Sequence, residues 1–243
     1  MADQSSAAIH DTPELNPTLD RAGLRDEFRR KGRVHIASVL TPKSAERLQH
    51  CLAKETQWSV TFNQGADFLD VAYGTLEERS KLALESRRRA RNDFAFFHDS
   101  HALSRDGEPY APPNHAFAGL VAFLNAPEFL GFVRDVTGQD EIALADAKAT
   151  LFQPGDYRTR QDGMDERKNR LAAYEISMTP AWRVDWGGTL EFLGLSGHIE
   201  KGFVPTFNTL TLFAVPRTHF VSQVALHGGL RYAVSGWLRS GER

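Results

Sequence analysis

ATLFQPGDYRTRQDG, residues 149–163, reads as a strand, a Pro-Gly break and the start of a second strand. The same texture holds from about Glu141 to the end of the chain. Segments 141–153, 170–179, 187–194, 207–215, 218–226 and 231–239 all have strand length, and Pro-Gly, Gly-Gly or other Gly-rich breaks separate them. Six to eight short strands behind a set of helices predict a mainly β fold: a two-sheet barrel or jelly roll buttressed by N-terminal helices. No repeat of 20 to 50 residues recurs, and no G-x-G-x-x-G follows a strand, which argues against a dinucleotide-binding sheet.

Upstream, the pattern is mixed. Leu24 and Phe28 at i, i+4 predict a short helix ended by Gly32, and residues 34–40 read as a strand. Thr41 and Pro42 open a helix whose stripe Ala45, Leu48, Leu52 faces a core, with Cys51 beside it as a buried small hydrophobe. Residues 58–62 alternate as a half-buried strand, and 76–92 form a helix whose run Arg87, Arg88, Arg89, Arg91 is offset by neighbouring glutamates. Asn114 is read as the cap of a helix carrying Phe117, Leu120, Val121 and Leu124, followed by a second helix that stops before Gly138. Residues 1–18 lack apolar periodicity and are expected to be a mobile tail, leaving 19–243 as a single domain with its β core at about 141–239.

Composition limits the chemistry. Lys+Arg 29 against Asp+Glu 31 gives a net charge of −2, without the cationic excess of a nucleic-acid binder or a polybasic membrane protein. No apolar run reaches a membrane span and the first residues lack a secretory pattern; with a single cysteine, this gives a cytoplasmic expectation. One cysteine also excludes a multi-cysteine metal site, so any metal must be held by the nine histidines and the carboxylates. His98 and His101 are read as loop residues, and neither G-x-S-x-G nor an activated cysteine supports nucleophilic catalysis.

Four segments in order, 149–163, 168–192, 207–224 and 231–239, resemble the Fe(II)/2-oxoglutarate-dependent oxygenases of the prolyl-hydroxylase type, in particular the subgroup with the ribosomal prolyl hydroxylases. The resemblance implies a double-stranded β-helix, a ferrous ion held by two histidines and one carboxylate, and an arginine for the far carboxylate of 2-oxoglutarate. On that pattern His219 takes the distal-histidine position and Arg231 the 2-oxoglutarate position. The H-x-D turn instead reads Gln161, Asp162, Gly163, so two of the three ligand positions hold a neutral amide and no side chain.

By resemblance Ser177 points into the barrel, and with Arg231 it is a candidate cofactor-binding residue; Tyr157 is a further candidate, with core or rim packing as its alternative, while Ala233 stands where relatives often carry a serine. Glu175 shares the parity of Ser177 and is a candidate substitute ligand. Glu175 or Glu191 either completes the metal site or neutralises Arg231, since an unpaired buried guanidinium is costly. Trp182, Trp186 and Trp237 are read as closing the barrel ends, with Gly187 and Gly188 allowing close backbone approach. Two functions remain open: an inactive or atypical member that binds a carboxylate ligand or a protein, and a working dioxygenase hydroxylating a prolyl residue or a small molecule. Neither nucleic acid nor membrane is an expected partner; a second copy of the chain is left open.

Overall fold

Local signals set the order of elements in the structure, a computed structural model that describes residues 12–65, 67–72, 74–111, 115–165 and 168–241. Asp20 caps α1 (Arg21–Lys31) by accepting from the Gly23 amide at 3.0 Å, and Gly32 ends it in the left-handed conformation. After β1 (Arg33–Ala37), Pro42 opens α2 (Pro42–His50), which runs into a π turn at Cys51–Glu55. Thr41 holds the N-cap position of α2, but its hydroxyl bonds Ser44 Oγ rather than a backbone amide. The hairpin β2 (Ser59–Gln64) and β3 (Asp67–Val71) precedes α3 (Leu76–Arg89), whose start is a reciprocal Thr75–Glu78 capping box. Then come β4 (Phe96–Ala102), the small hairpin β5 (Ser104–Arg105) and β6 (Glu108–Pro109), and the apolar helices α4 (Ala116–Leu124) and α5 (Pro127–Thr137).

The β half supplies β7 (Ile142–Ala145), β8 (Lys148–Phe152), β9 (Tyr157–Gln161), β10 (Arg170–Ser177) and β11 (Leu190–Leu193). It continues with β12 (Ile199–Phe203), β13 (Thr209–Ala214), β14 (His219–Val221) and β15 (Arg231–Ser240). Antiparallel pairing gives the order β1-β13-β10-β15-β8-β4-β9-β14-β11-β12, with β7 beside β15 and the β2–β3 hairpin on β4. The two ends of this order meet through side chains. His35 of β1 stacks on Phe203 of β12 with centroids 4.5 Å apart, and Arg33 reaches Glu200 at 2.9 Å. The sheet is therefore a nearly closed barrel with flanking helices, as expected for a double-stranded β-helix.

Two apolar layers hold it. Outside, α4 and α5 press Leu120, Leu124, Phe129 and Val133 onto Tyr174, Ile176 and Leu212. Inside, Phe192 is fully buried among Phe152, Leu190, Phe213 and Val221. A third cluster seats α3 through Ala83 on Val60, Phe62, Phe97 and Tyr157. Gly187 is required in the turn after Trp186: its φ is +65°, and a Cβ there would run into the Gln223 carbonyl.

Three expectations change. Within the expected tail, residues 1–11 lie outside the described residues, but Leu15 is buried and bridges Leu40, because its side chain completes the core beside α2. Asn114 lies outside the described residues; the N-cap of α4 is His115, whose Nδ1 accepts from the Phe117 amide at 3.1 Å. His98 and His101 are in β4 rather than a loop, since pairing with β2 and β8 outweighs the polar local sequence. Phe192→Ala is expected to cost about 3–5 kcal/mol in urea unfolding, because the rigid barrel cannot collapse onto the space left behind.

Candidate functional site

A cavity of about 530 Å³ opens into the barrel, with Phe152, Arg158, Gln161, Glu175, Leu190 and His219 among its lining. A bulge positions two of these groups. His219 pairs with Gln161 and Val221 with Arg158, so two steps on β14 match three on β9, and both Arg158 and Gln161 face inward despite their odd separation. On the other side of β9, Tyr157 points out under α3 and bonds Ser86 Oγ at 2.8 Å. Its expected place at the cofactor is therefore corrected: strand alternation sends it to the α3 cluster.

At the inner end, His219 donates from Nδ1 to the Arg217 carbonyl at 2.7 Å, which leaves Nε2 as the lone-pair nitrogen. That lone pair accepts from the Gln161 amide nitrogen at 3.2 Å. Burial pushes the His219 pKa down to about 4, with Arg158 opposing protonation further, so the ring is neutral at pH 7. Gly163 lies beside it at φ +82°. A Cβ on Gly163 would sit 2.8 Å from the Trp237 ring and 3.7 Å from His219 Cε1. The indole thus occupies the direction in which a side chain at 163 would approach the imidazole. Arg170 fixes it there, stacking on Trp237 at 4.0 Å and donating to the Gly163 carbonyl at 3.0 Å.

These residues do not fit a ferrous ion held by two histidines and a carboxylate. Gln161 presents an N–H to the one imidazole lone pair, position 163 has no donor, and Asp162 turns away to accept from the Met164 amide. Among the described residues no three His, Cys, Asp or Glu side chains converge as a ligand set.

Arg231 is 1% exposed and donates from Nη2 to Glu175 Oε1 at 2.6 Å. Glu175 is therefore the partner of the guanidinium; it does not complete a metal site. Glu191 accepts from Thr189 Oγ1 instead. Arg231 still has Nε and Nη1 without protein partners, and the Ser177 hydroxyl is likewise buried and unpartnered. A carboxylate would fit these donors, but Glu175 already supplies one to the same guanidinium.

Sequence reasoning missed Arg158, Arg170 and His98. Arg158 was hidden by the bulge, and Arg170 by its place at the ragged start of β10. His98 is fully buried against Phe152, with rings 4.6 Å apart and 5° from parallel. No alternation marked it, since residues 96–100 are all buried. Trp237, read as a barrel-end residue, lines the cavity, while Trp182 and Trp186 pack edge to face at 5.3 Å near the 187 turn.

Nitrogen-15 NMR of the imidazoles should show His219 as one neutral Nδ1–H tautomer from neutral pH down to about 4. Because its folded pKa is depressed, the unfolded chain takes up the proton first. The stability tied to this ring is complete above about 6.5 and falls as pH drops toward about 4, by on the order of 3 kcal/mol. A second expectation concerns the indole. Gln161→His with Gly163→Asp should not gain cobalt(II) binding in absorption titrations, whereas adding Trp237→Ala should produce it.

Comparison with known proteins agrees with the barrel fold. Residues 147–239 match the family model described as the 2OG-Fe(II) oxygenase superfamily. Prolyl 3-hydroxylase OGFOD1 of Mus musculus is 26% identical over 226 residues, covering 87% of this chain and 38% of the mouse protein; the chain thus spans well under half of that relative. A 2OG-Fe(II) oxygenase family oxidoreductase from Burkholderia pseudomallei superposes with TM-score 0.61 at 13% identity, covering 92% of both chains. The Trichoplax adhaerens prolyl hydroxylase, solved with a hypoxia inducible factor peptide fragment, gives TM-score 0.57 at 16% identity over 90% of this chain and 89% of its own. Residues 147–239 thus carry the sequence pattern of the 2OG-Fe(II) oxygenase superfamily, in a chain that is prolyl-hydroxylase-like in sequence and fold.

Proposed function

We propose that the chain is a metal-independent binding member of this superfamily, whose barrel accepts a carboxylate-bearing small molecule. The observation that carries the reading is the amide of Gln161 on the lone pair of His219 at 3.2 Å. Iron in this position needs that lone pair together with two further anionic or imidazole donors, and the amide offers neither charge nor a second imidazole. A neutral Gln–His pair is self-sufficient: both partners are satisfied without an ion.

The cavity's charge supports a ligand of negative sign. Its wall includes Arg105, Lys148, Arg158, Lys168, Arg170 and Arg239 against Asp106, Asp146 and Glu175. Such an excess in a concave site attracts an anion more strongly than the same charges do at a flat surface. The competing reading, a hydroxylase of a prolyl residue or small molecule, is favoured by the activity in the names of its relatives; it requires a metal that these donors do not suit.

Metal analysis of the chain purified without chelator, run beside 2-oxoglutarate decarboxylation with added Fe(II) and ascorbate, tests the reading. Iron far below one equivalent and no turnover above the protein-free control are expected. Stoichiometric iron with turnover would establish the hydroxylase reading instead.

A further inference from the structure

Arg158 is the one arginine deep in the cavity whose charge is not met by a carboxylate among the described residues. Arg170 faces Asp165 at 3.6 Å, and Arg239 holds Asp106 at 2.8 Å and Asp146 at 3.4 Å. Arg231 has Glu175. The Arg158 Nε is buried without a partner, and Nη2 reaches only the Nε2 of His98 at 3.4 Å. That histidine cannot neutralise it. Burial, then the charge of Arg158 itself, holds the His98 pKa well below its ordinary value, so His98 accepts a hydrogen bond and contributes no charge. Glu175 acts on Arg158 through space but is bound to Arg231, which leaves two guanidiniums and one carboxylate at this end of the cavity.

The wall beside Arg158 is aromatic. Its guanidinium lies over Phe96 at 5.4 Å, and Phe96 contacts Phe94 at 5.7 Å and Phe68 at 5.3 Å; all three rings line the cavity. Phe68 is 66% exposed although its ring meets Phe96, so most of an aromatic surface at the mouth of a cationic cavity is open to a ligand. A cavity of about 530 Å³ has room for a ligand with a ring and an acidic group. At this end of the cavity Arg158 is the guanidinium that no carboxylate binds among the described residues, so a single acid has its place there, whereas a second acid group would have to share Arg231 with Glu175 or reach out to the cations of the rim.

We propose that Arg158 receives the carboxylate of an aromatic monocarboxylic acid, with the ring of the acid lying against Phe68, Phe94 and Phe96. This rests on the metal-independent binding reading above and names the class of its ligand. Arg158 is the specificity-determining contact, and His98 positions it from below.

Isothermal titration of the full-length chain, without added metal, with phenylacetate, the uncharged isostere phenylacetamide and 2-oxoglutarate tests this. Phenylacetate should bind, and phenylacetamide should bind about tenfold or more weakly, the loss expected when a charge-assisted hydrogen bond is removed. Arg158→Gln should lose phenylacetate affinity to the same extent, and Phe68→Ala, at an exposed position, should weaken it with unchanged thermal unfolding. Equal affinities for acid and amide, or no phenylacetate binding, would overturn the proposal; the acid–amide comparison uses the unaltered protein and so stands even if Arg158→Gln does not fold. Metal-free binding of 2-oxoglutarate that ignores Arg158→Gln would overturn the role of Arg158 while leaving the binding-module reading in place. Binding of any of these acids only with Fe(II) would overturn that reading as well.

Discussion

The lone pair on His219 Nε2 is the constraint around which the inner barrel is arranged. The Arg217 carbonyl fixes the proton on Nδ1, and burial keeps the ring neutral, so an unshared pair of electrons points into the cavity. Something must meet it. Here the partner is an N–H of Gln161, and the surrounding groups follow that choice. Gly163 carries no side chain, Trp237 fills the direction a side chain would take, and Arg170 holds the indole by its face while bonding the Gly163 carbonyl. Each group depends on the others: a donor at 163 would collide with the indole, and moving the indole would strip the stacking partner from Arg170.

A second internal pairing stands beside the first. Arg231 is deeply buried, and a guanidinium there is strongly destabilising without an opposing charge. Glu175 provides it from the adjacent strand β10. The barrel therefore meets both groups with its own side chains, an amide toward His219 and a carboxylate toward Arg231. The exception is Arg158, which adds a positive charge at the same end without adding its counterion.

Much of this was legible from residue types alone. Turn residues every few positions after Glu141 marked the β half, and Gly32, Pro42 and Gly138 marked helix ends that the structure places at the same residues. The altered turn at 161–163 could be read because three separate segments agreed in spacing. Two kinds of information were out of reach. A bulge changes which residues of β9 face inward, and no periodicity rule carries across it; that is why Tyr157 was chosen and Arg158 passed over. Long-range pairings such as Trp237 with Gly163, 74 positions apart, depend on how the sheet curls rather than on either local sequence. The choice between Glu175 and Glu191 as partner of Arg231 was of the same kind, settled by which strand lies against β15.

Anomalous diffraction from crystals grown with manganese(II) and 2-oxoglutarate in excess measures the central claim directly, because it locates the ion and the amide in one map. The Gln161 amide nitrogen is expected on His219 Nε2, with no anomalous peak within bonding distance of that atom. A manganese peak on His219 Nε2, with Gln161 rotated away or turned to offer its oxygen, would contradict it.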